Sequence, residues 1–127
     1  MKHANSLYHF EPTLKSWFDA RDHCLMQNSH LVDITDLAEN IFVVKLVGNK
    51  SDRFWISLND VKSENKFVKS NGRRPTFLNW YPSEPNNKGS EDCAEVILGE
   101  SDGKNFNGRW NDRSCQKLGA FVCEKSG

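Results

Sequence analysis

The chain has 127 residues, with four tryptophans and eight phenylalanines to fill a core. Lys plus Arg and Asp plus Glu are each 17, so the formal net charge is zero. That balance argues against a general nucleic-acid binder and a polybasic membrane module. No apolar run approaches the roughly 20 residues of a transmembrane helix. The opening stretch MKHANSLYHF has no apolar segment of signal-peptide length, so these residues predict a cytosolic protein, or a processed or excised fragment. A single domain over residues 1–127 is expected.

In chain order, Thr13 is placed to cap a first helix whose Leu14, Trp17, Phe18, Arg21, Cys24 and Leu25 recur at spacings of three and four. Asp36 followed by Glu39 resembles a capping box. A second stripe, Ala38, Ile41, Phe42 and Lys45, runs to a stop at Gly48. The second half changes character. RFWISL (53–58), Phe67–Val68, AEVIL (94–98) and AFVCE (120–124) read as short strands. Between them, residues 70–92 form a long loop rich in Asn, Pro, Gly and Ser. Loops of that length are commonly functional or disordered, and Trp80 and Tyr81 favour order. Helices followed by strands predict an α+β fold.

The cysteines are Cys24, Cys93, Cys115 and Cys123. None forms a C-x-x-C, which removes zinc-ribbon and thioredoxin-like spacings. Two disulfides with three possible connectivities, or four buried thiols, both fit the count.

The segment EPNNKGSEDC (84–93) crowds three carboxylates and two amides into one loop. Such carboxylates repel one another unless a cation or protons intervene. Glu84, Asn86 and Glu91 there, with Asn111 and Asp112 in RWND, supply five oxygen-bearing side chains. Calcium is a hard cation that takes six to eight oxygen ligands. The lack of His or Cys among the five disfavours zinc and copper, and no EF-hand pattern is present.

Taken together, these pieces resemble a C-type lectin domain of the mannose-binding, four-cysteine type, along nearly the whole chain. The matching residues are WFDARDHC, WISL (55–58, with Ser57 where the family has Gly), the E-P-N of NWYPSEPNN, EDCAE, the W-N-D of RWNDRSC, and FVCE (121–124). The resemblance implies a C-type lectin-like fold with two helices, short antiparallel strands and a long calcium-binding loop. It implies disulfides Cys24–Cys123 and Cys93–Cys115, and hence an extracellular setting, as a secreted protein or a receptor ectodomain. By position, Glu84, Asn86, Glu91, Asn111 and Asp112 would hold the primary Ca2+ and also the sugar. Asp60, Glu64, Asn87, Glu91 and Asp92 would hold a second Ca2+. In the family the Glu-Pro bond is cis, and Glu-Pro-Asn rather than Gln-Pro-Asp implies mannose, fucose or N-acetylglucosamine over galactose. Lys88, where relatives often carry an apolar sugar contact, would lean over the site.

The expected function is therefore calcium-dependent glycan binding without catalysis. Nucleic acid and direct membrane insertion are not expected, and clustering into an oligomer would supply avidity. The alternative is a lectin-like domain that binds a protein without sugar. A glycosidase built on Glu84 and Glu91 ranks third, because calcium ligation opposes the raised pKa a catalytic acid needs. Asn49-Lys50-Ser51 is an N-glycosylation sequon. The histidines (His3, His9, His23, His30) read as surface or core residues, and Arg73-Arg74 and Lys104…Arg109 as solvated surface rather than an anion site. The insertion 99–108 reads as a hairpin tip near the sugar site.

Overall fold

In the computed structural model, residues 2–3, 5–62, 66–82, 84–85, 92–101 and 103–126 are described. The chain opens with strands β1 (Lys2–His3) and β2 (Ser6–Lys15). Helix α1 (Trp17–Met26), strand β3 (His30–Leu31) and helix α2 (Leu37–Val47) follow. The second half supplies β4 (Arg53–Asn59), β5 (Cys93–Ile97), the short pair β6 (Glu100–Ser101) and β7 (Lys104–Asn105), then β8 (Arg109–Arg113) and β9 (Gly119–Ser126). The main sheet runs β1-β2-β9-β4-β5-β8, with β3 added onto β9. It is mixed: its neighbours are antiparallel except β4 and β9, which meet in parallel at Trp55 and Phe121. This is the α+β arrangement with two helices that the sequence pattern predicted. Among the described residues no helix is long and apolar enough to cross a membrane.

Several local expectations are corrected. Thr13 and Leu14 do not start the first helix; they lie in β2, which pairs with β9. Ser16 caps α1 instead, its hydroxyl accepting from the Asp19 N–H at 3.2 Å. The buried face of α1 is Trp17, Ala20 and Cys24, while Leu25 is exposed. Asp36 does cap α2, accepting from the Glu39 N–H at 2.7 Å. The Glu39 carboxylate turns to the Thr35 N–H at 2.9 Å and the Tyr8 hydroxyl at 2.5 Å. Burial, then that hydrogen bond, pushes the Tyr8 phenol well above its usual range. Of the predicted stripe, Ala38, Ile41 and Lys45 are exposed and only Phe42 packs against the core; α2 buries Glu39, Asn40, Val43 and Val47. Gly48 ends α2 at φ +56° as expected. Phe67–Val68 is not a strand: Val68 makes a single bridge to Asn59. Strands β2 and β8 were not foreseen.

The central strand β4 explains how the core divides. Successive strand residues point to opposite faces. Phe54, Ile56 and Leu58 enter one apolar cluster with Val96, Trp110 and Val122, under α2. Trp55 enters another with Trp17, Phe121 and both disulfides, under α1. Those disulfides are Cys24–Cys123 and Cys93–Cys115, the pairs that the resemblance implies. Buried tryptophan N–H groups require acceptors. Trp17 Nε1 donates to the Ile56 carbonyl at 2.8 Å, and Trp55 Nε1 to the Lys15 carbonyl at 3.0 Å.

The third, Trp110 Nε1, donates to Asn40 Oδ1 at 2.8 Å, and Asn40 Nδ2 donates to the Gly108 carbonyl at 2.9 Å. One buried amide on α2 thus holds the start of β8. Gly108 has φ +84°, and a Cβ there would meet Val44 Cγ2 at 3.3 Å, so glycine suits both the backbone and the close approach of α2. Asn40→Ala leaves the buried Trp110 N–H without its acceptor and the Gly108 carbonyl with only the longer bond from Asn79 Nδ2 at 3.5 Å. It is expected to cost about 1–3 kcal/mol, measured by denaturant unfolding, whereas exposed Ile41→Ala should stay near wild type.

Candidate functional site

β8 is the terminal strand of the sheet, and its free edge carries the loop that precedes Glu84. Trp110 N–H donates to the Asn79 carbonyl and Tyr81 N–H to the Trp110 carbonyl, both at 2.9 Å. A parallel bridge pairs Trp80 with Trp110. The ring of Trp80 meets Trp110 edge-on at 6.1 Å and Phe67 at 5.0 Å. Within the described part of the loop, Trp80 fastens the chain to Trp110 and Phe67. Glu84 N–H then donates to the Tyr81 carbonyl at 2.7 Å, and the Glu84–Pro85 peptide is cis. The E-P-N acid and the W-N-D residues are in this way carried by adjoining segments.

The predicted site residues fall into two groups. Glu84, Asn111, Asp112, Asp60 and Asp92 are described. Asn86, Asn87, Lys88, Glu91 and Glu64 lie outside the described residues. The Glu84 side chain is only 3% exposed, and Asp112 is buried. Asp60 is buried too, and its N–H donates to the Asp92 carbonyl at 2.8 Å. Two acids predicted for the second cation are therefore neighbours across the end of the β4–β5 pair. Asp92 Oδ1 is buried with no hydrogen-bond partner among the described residues. A buried carboxylate oxygen without a donor is costly and suits a cation supplied from outside the chain. Among the described residues no three His, Cys, Asp or Glu side chains are arranged to hold a metal by themselves. The described donors fit a hard cation in type, all being carboxylate or amide oxygens.

The hairpin β6–β7 supplies contacts that sequence reasoning missed. It occupies the 99–108 insertion, where a hairpin was expected. Phe106 packs on Tyr81 at 4.6 Å between ring centroids. Lys104 Nζ lies 5.8 Å over the Tyr81 ring and 3.8 Å from Glu84 Oε2. Lys104 is therefore not simply solvated: it brings a cation to the first predicted ligand.

Glu95 was also missed. It sits in β5 with its side chain 1% exposed and accepts from Asn111 Nδ2 at 2.9 Å. Arg53 and Arg113 flank it at 3.3 Å and 3.4 Å. Burial pushes the Glu95 carboxyl up, and Arg53, the Asn111 amide and Arg113 act against that. The available signal was a lone acid inside the apolar run AEVIL, since a buried charge is kept only with partners.

The fold, its two disulfides and this oxygen-rich edge define an α+β ligand-binding module. A model of the "Lectin C-type domain" family matches residues 13–125. C-type lectin domain family 17, member A, of Homo sapiens is 40% identical over 118 residues, covering 93% of this chain and 29% of that protein. C-type mannose receptor 2 of Homo sapiens is 34% identical over 122 residues, covering 94% of this chain and 8% of that protein. Among solved structures, the human scavenger receptor C-type lectin carbohydrate-recognition domain superposes with a TM-score of 0.88 at 30% identity, covering 100% of this chain and 95% of that one. The chain belongs to the C-type lectin domain family, whose members are binding domains rather than enzymes. It spans less than a third of the first relative and less than a tenth of the second.

Proposed function

We propose that this chain is a calcium-dependent carbohydrate-recognition domain, folded as one unit over residues 1–127, for glycans of the mannose, fucose or N-acetylglucosamine type. The observation that carries the reading is the hydrogen bonding of Asn79 and Tyr81 to Trp110, which lays the stretch leading towards Glu84 against the strand that carries Asn111 and Asp112. Membership of a family that commonly binds calcium supports it, as does the name of the similar mannose receptor.

Glu84, Asn86, Glu91, Asn111 and Asp112 would hold the ion. When bound, calcium would supply coordination positions for two neighbouring sugar hydroxyls. The chain's own work is hydrogen bonding. Each hydroxyl needs an acceptor for its proton and a donor for its remaining lone pair. Glu84 would accept and Asn86 donate for one hydroxyl; Glu91 would accept and Asn111 donate for the other. Asp60, Glu64, Asn87, Glu91 and Asp92 would hold a second ion that orders the loop, a reading supported by the buried Asp92 Oδ1, which has no hydrogen-bond partner among the described residues. Lys88 would border the sugar. Two disulfides fit an oxidising, extracellular setting. Clustering of several sites would raise avidity for a glycan surface.

A glycan array probed with calcium and with chelator tests the reading. Mannose-type signals present with calcium and absent with chelator are expected. Binding that ignores chelator, or that is confined to a protein ligand, would overturn it in favour of a lectin-like domain that recognises protein.

A further inference from the structure

Asn111 is asked to do two opposed things: offer a carbonyl oxygen to a cation and an N–H to a sugar hydroxyl. An amide side chain can rotate by half a turn and exchange these groups at little cost, so something must hold it one way. The structure contains such a group. Glu95 lies directly across the β5–β8 pair from Asn111, and its Oε2 accepts from Asn111 Nδ2 at 2.9 Å. The same Oε2 also accepts from Arg53 Nη1 at 3.3 Å, and Oε1 from Arg113 Nη1 at 3.4 Å. With a guanidinium donating to each oxygen, the carboxylate offers acceptors only. Asn111 can turn its NH2 towards Glu95 but not its carbonyl.

We infer that Glu95 is a positioning residue for Asn111, holding the amide so that Oδ1 and the second Nδ2 hydrogen face away from the sheet interior for cation and sugar. The inference rests on the calcium reading above.

The cluster around Glu95 is built rather than incidental. Arg53 is itself anchored by Nη2 donating to Ser101 Oγ in the β6–β7 hairpin at 3.0 Å. Arg113 lies over the Trp55 ring at 5.5 Å. Gly119 leaves room for that stack: a Cβ there would come 3.0 Å from Trp55 Nε1 and 3.3 Å from Arg113 Nη1. Three side chains from two strands, Arg53 on β4 and Asn111 and Arg113 on β8, thus converge on one buried carboxylate. Groups that orient a metal ligand from behind are known to alter metal affinity by about 10–100-fold when removed.

Two substitutions separate position from charge. Glu95→Asp keeps the charge and shortens the reach; Glu95→Gln keeps the length and lets its own NH2 face the Asn111 carbonyl. On the full chain, calcium affinity would be measured without sugar, mannoside affinity at saturating calcium, and melting temperature in chelator. Both variants are expected to bind calcium about tenfold more weakly, with mannoside affinity reduced, a loss that persists at temperatures where both remain fully folded in chelator. Calcium affinity equal to wild type in both variants overturns the inference. So does a loss confined to Glu95→Gln, which would make Glu95 a source of charge only, and so does a loss that merely tracks melting.

A spectroscopic readout guards against variants that fail to fold. In the wild-type amide spectrum, the Asn111 NH2 pair (assigned by its absence in Asn111→Asp) should show one proton protected from solvent exchange. Equal, fast exchange of both protons overturns the inference without any variant at position 95. A wild-type chain that binds no calcium would sink the functional reading and the inference together, whereas calcium binding with unimpaired variants sinks the inference alone.

Discussion

Glu84→Gln is expected to abolish retention on immobilised mannose while leaving the fold intact. The substitution keeps size and removes one negative charge from the oxygen set. Charge count and site rigidity spread calcium affinities over several decades, so the expected loss of calcium affinity is roughly a hundredfold. Sugar binding should fall with it, because the same carboxylate is proposed to take the proton of a sugar hydroxyl. The Lys104 ammonium, 3.8 Å from Glu84 Oε2, would then face a neutral amide, further reducing attraction for a cation. Protons should mimic the mutation: the site needs ionised carboxylates, so retention should weaken as pH falls towards the carboxylate range. The check is calcium titration and mannose-column retention of both proteins, with circular dichroism as the control for folding. Undiminished calcium affinity in Glu84→Gln would remove Glu84 from the site.

Removal of the Cys24–Cys123 bridge, as Cys24→Ser with Cys123→Ser, should have the largest effect on stability. The bridge spans a sequence separation of 99 and ties α1 to β9. In the chain-entropy account a loop of that length contributes about 4–5 kcal/mol. For a domain of this size that corresponds to a fall in melting temperature of roughly 15–20 °C. Both sulfurs lie in the apolar cluster with Trp17 and Phe121, so lost packing adds to the loss. Cys93–Cys115, with a separation of 22, should be worth about 3 kcal/mol. Its removal should weigh more on calcium binding, because Cys93 adjoins Asp92 and the Cys115 carbonyl accepts from the Trp17 N–H that begins α1. Thermal melts of the two double variants, with and without calcium, test the ranking. Equal melting temperatures for the Cys24/Cys123 variant and wild type would overturn it.

By itself the sequence determined the broad class of fold and picked out the residues of the candidate site. The carboxylates and amides that the proposed calcium and sugar chemistry would require stand out in EPNNKGSEDC and RWND whatever the surrounding structure. The four cysteines in order narrowed the framework, and the cap at Asp36 and the stop at Gly48 were legible because both depend on residues within one turn. What failed were features decided by distant partners. Thr13 has the chemistry of a helix cap, but pairing of β2 with a strand more than a hundred residues later outweighed that local preference. Ile41 is more apolar than Asn40, yet α2 buries Asn40, because its amide has two partners waiting in Gly108 and Trp110. Glu95 stands alone as a charge inside the apolar run AEVIL. Only the tertiary structure brings it Arg53, 42 residues before it, and Asn111 and Arg113 beyond it. A buried charge is tolerated only when its partners arrive, and those partners come together only once the sheet has formed.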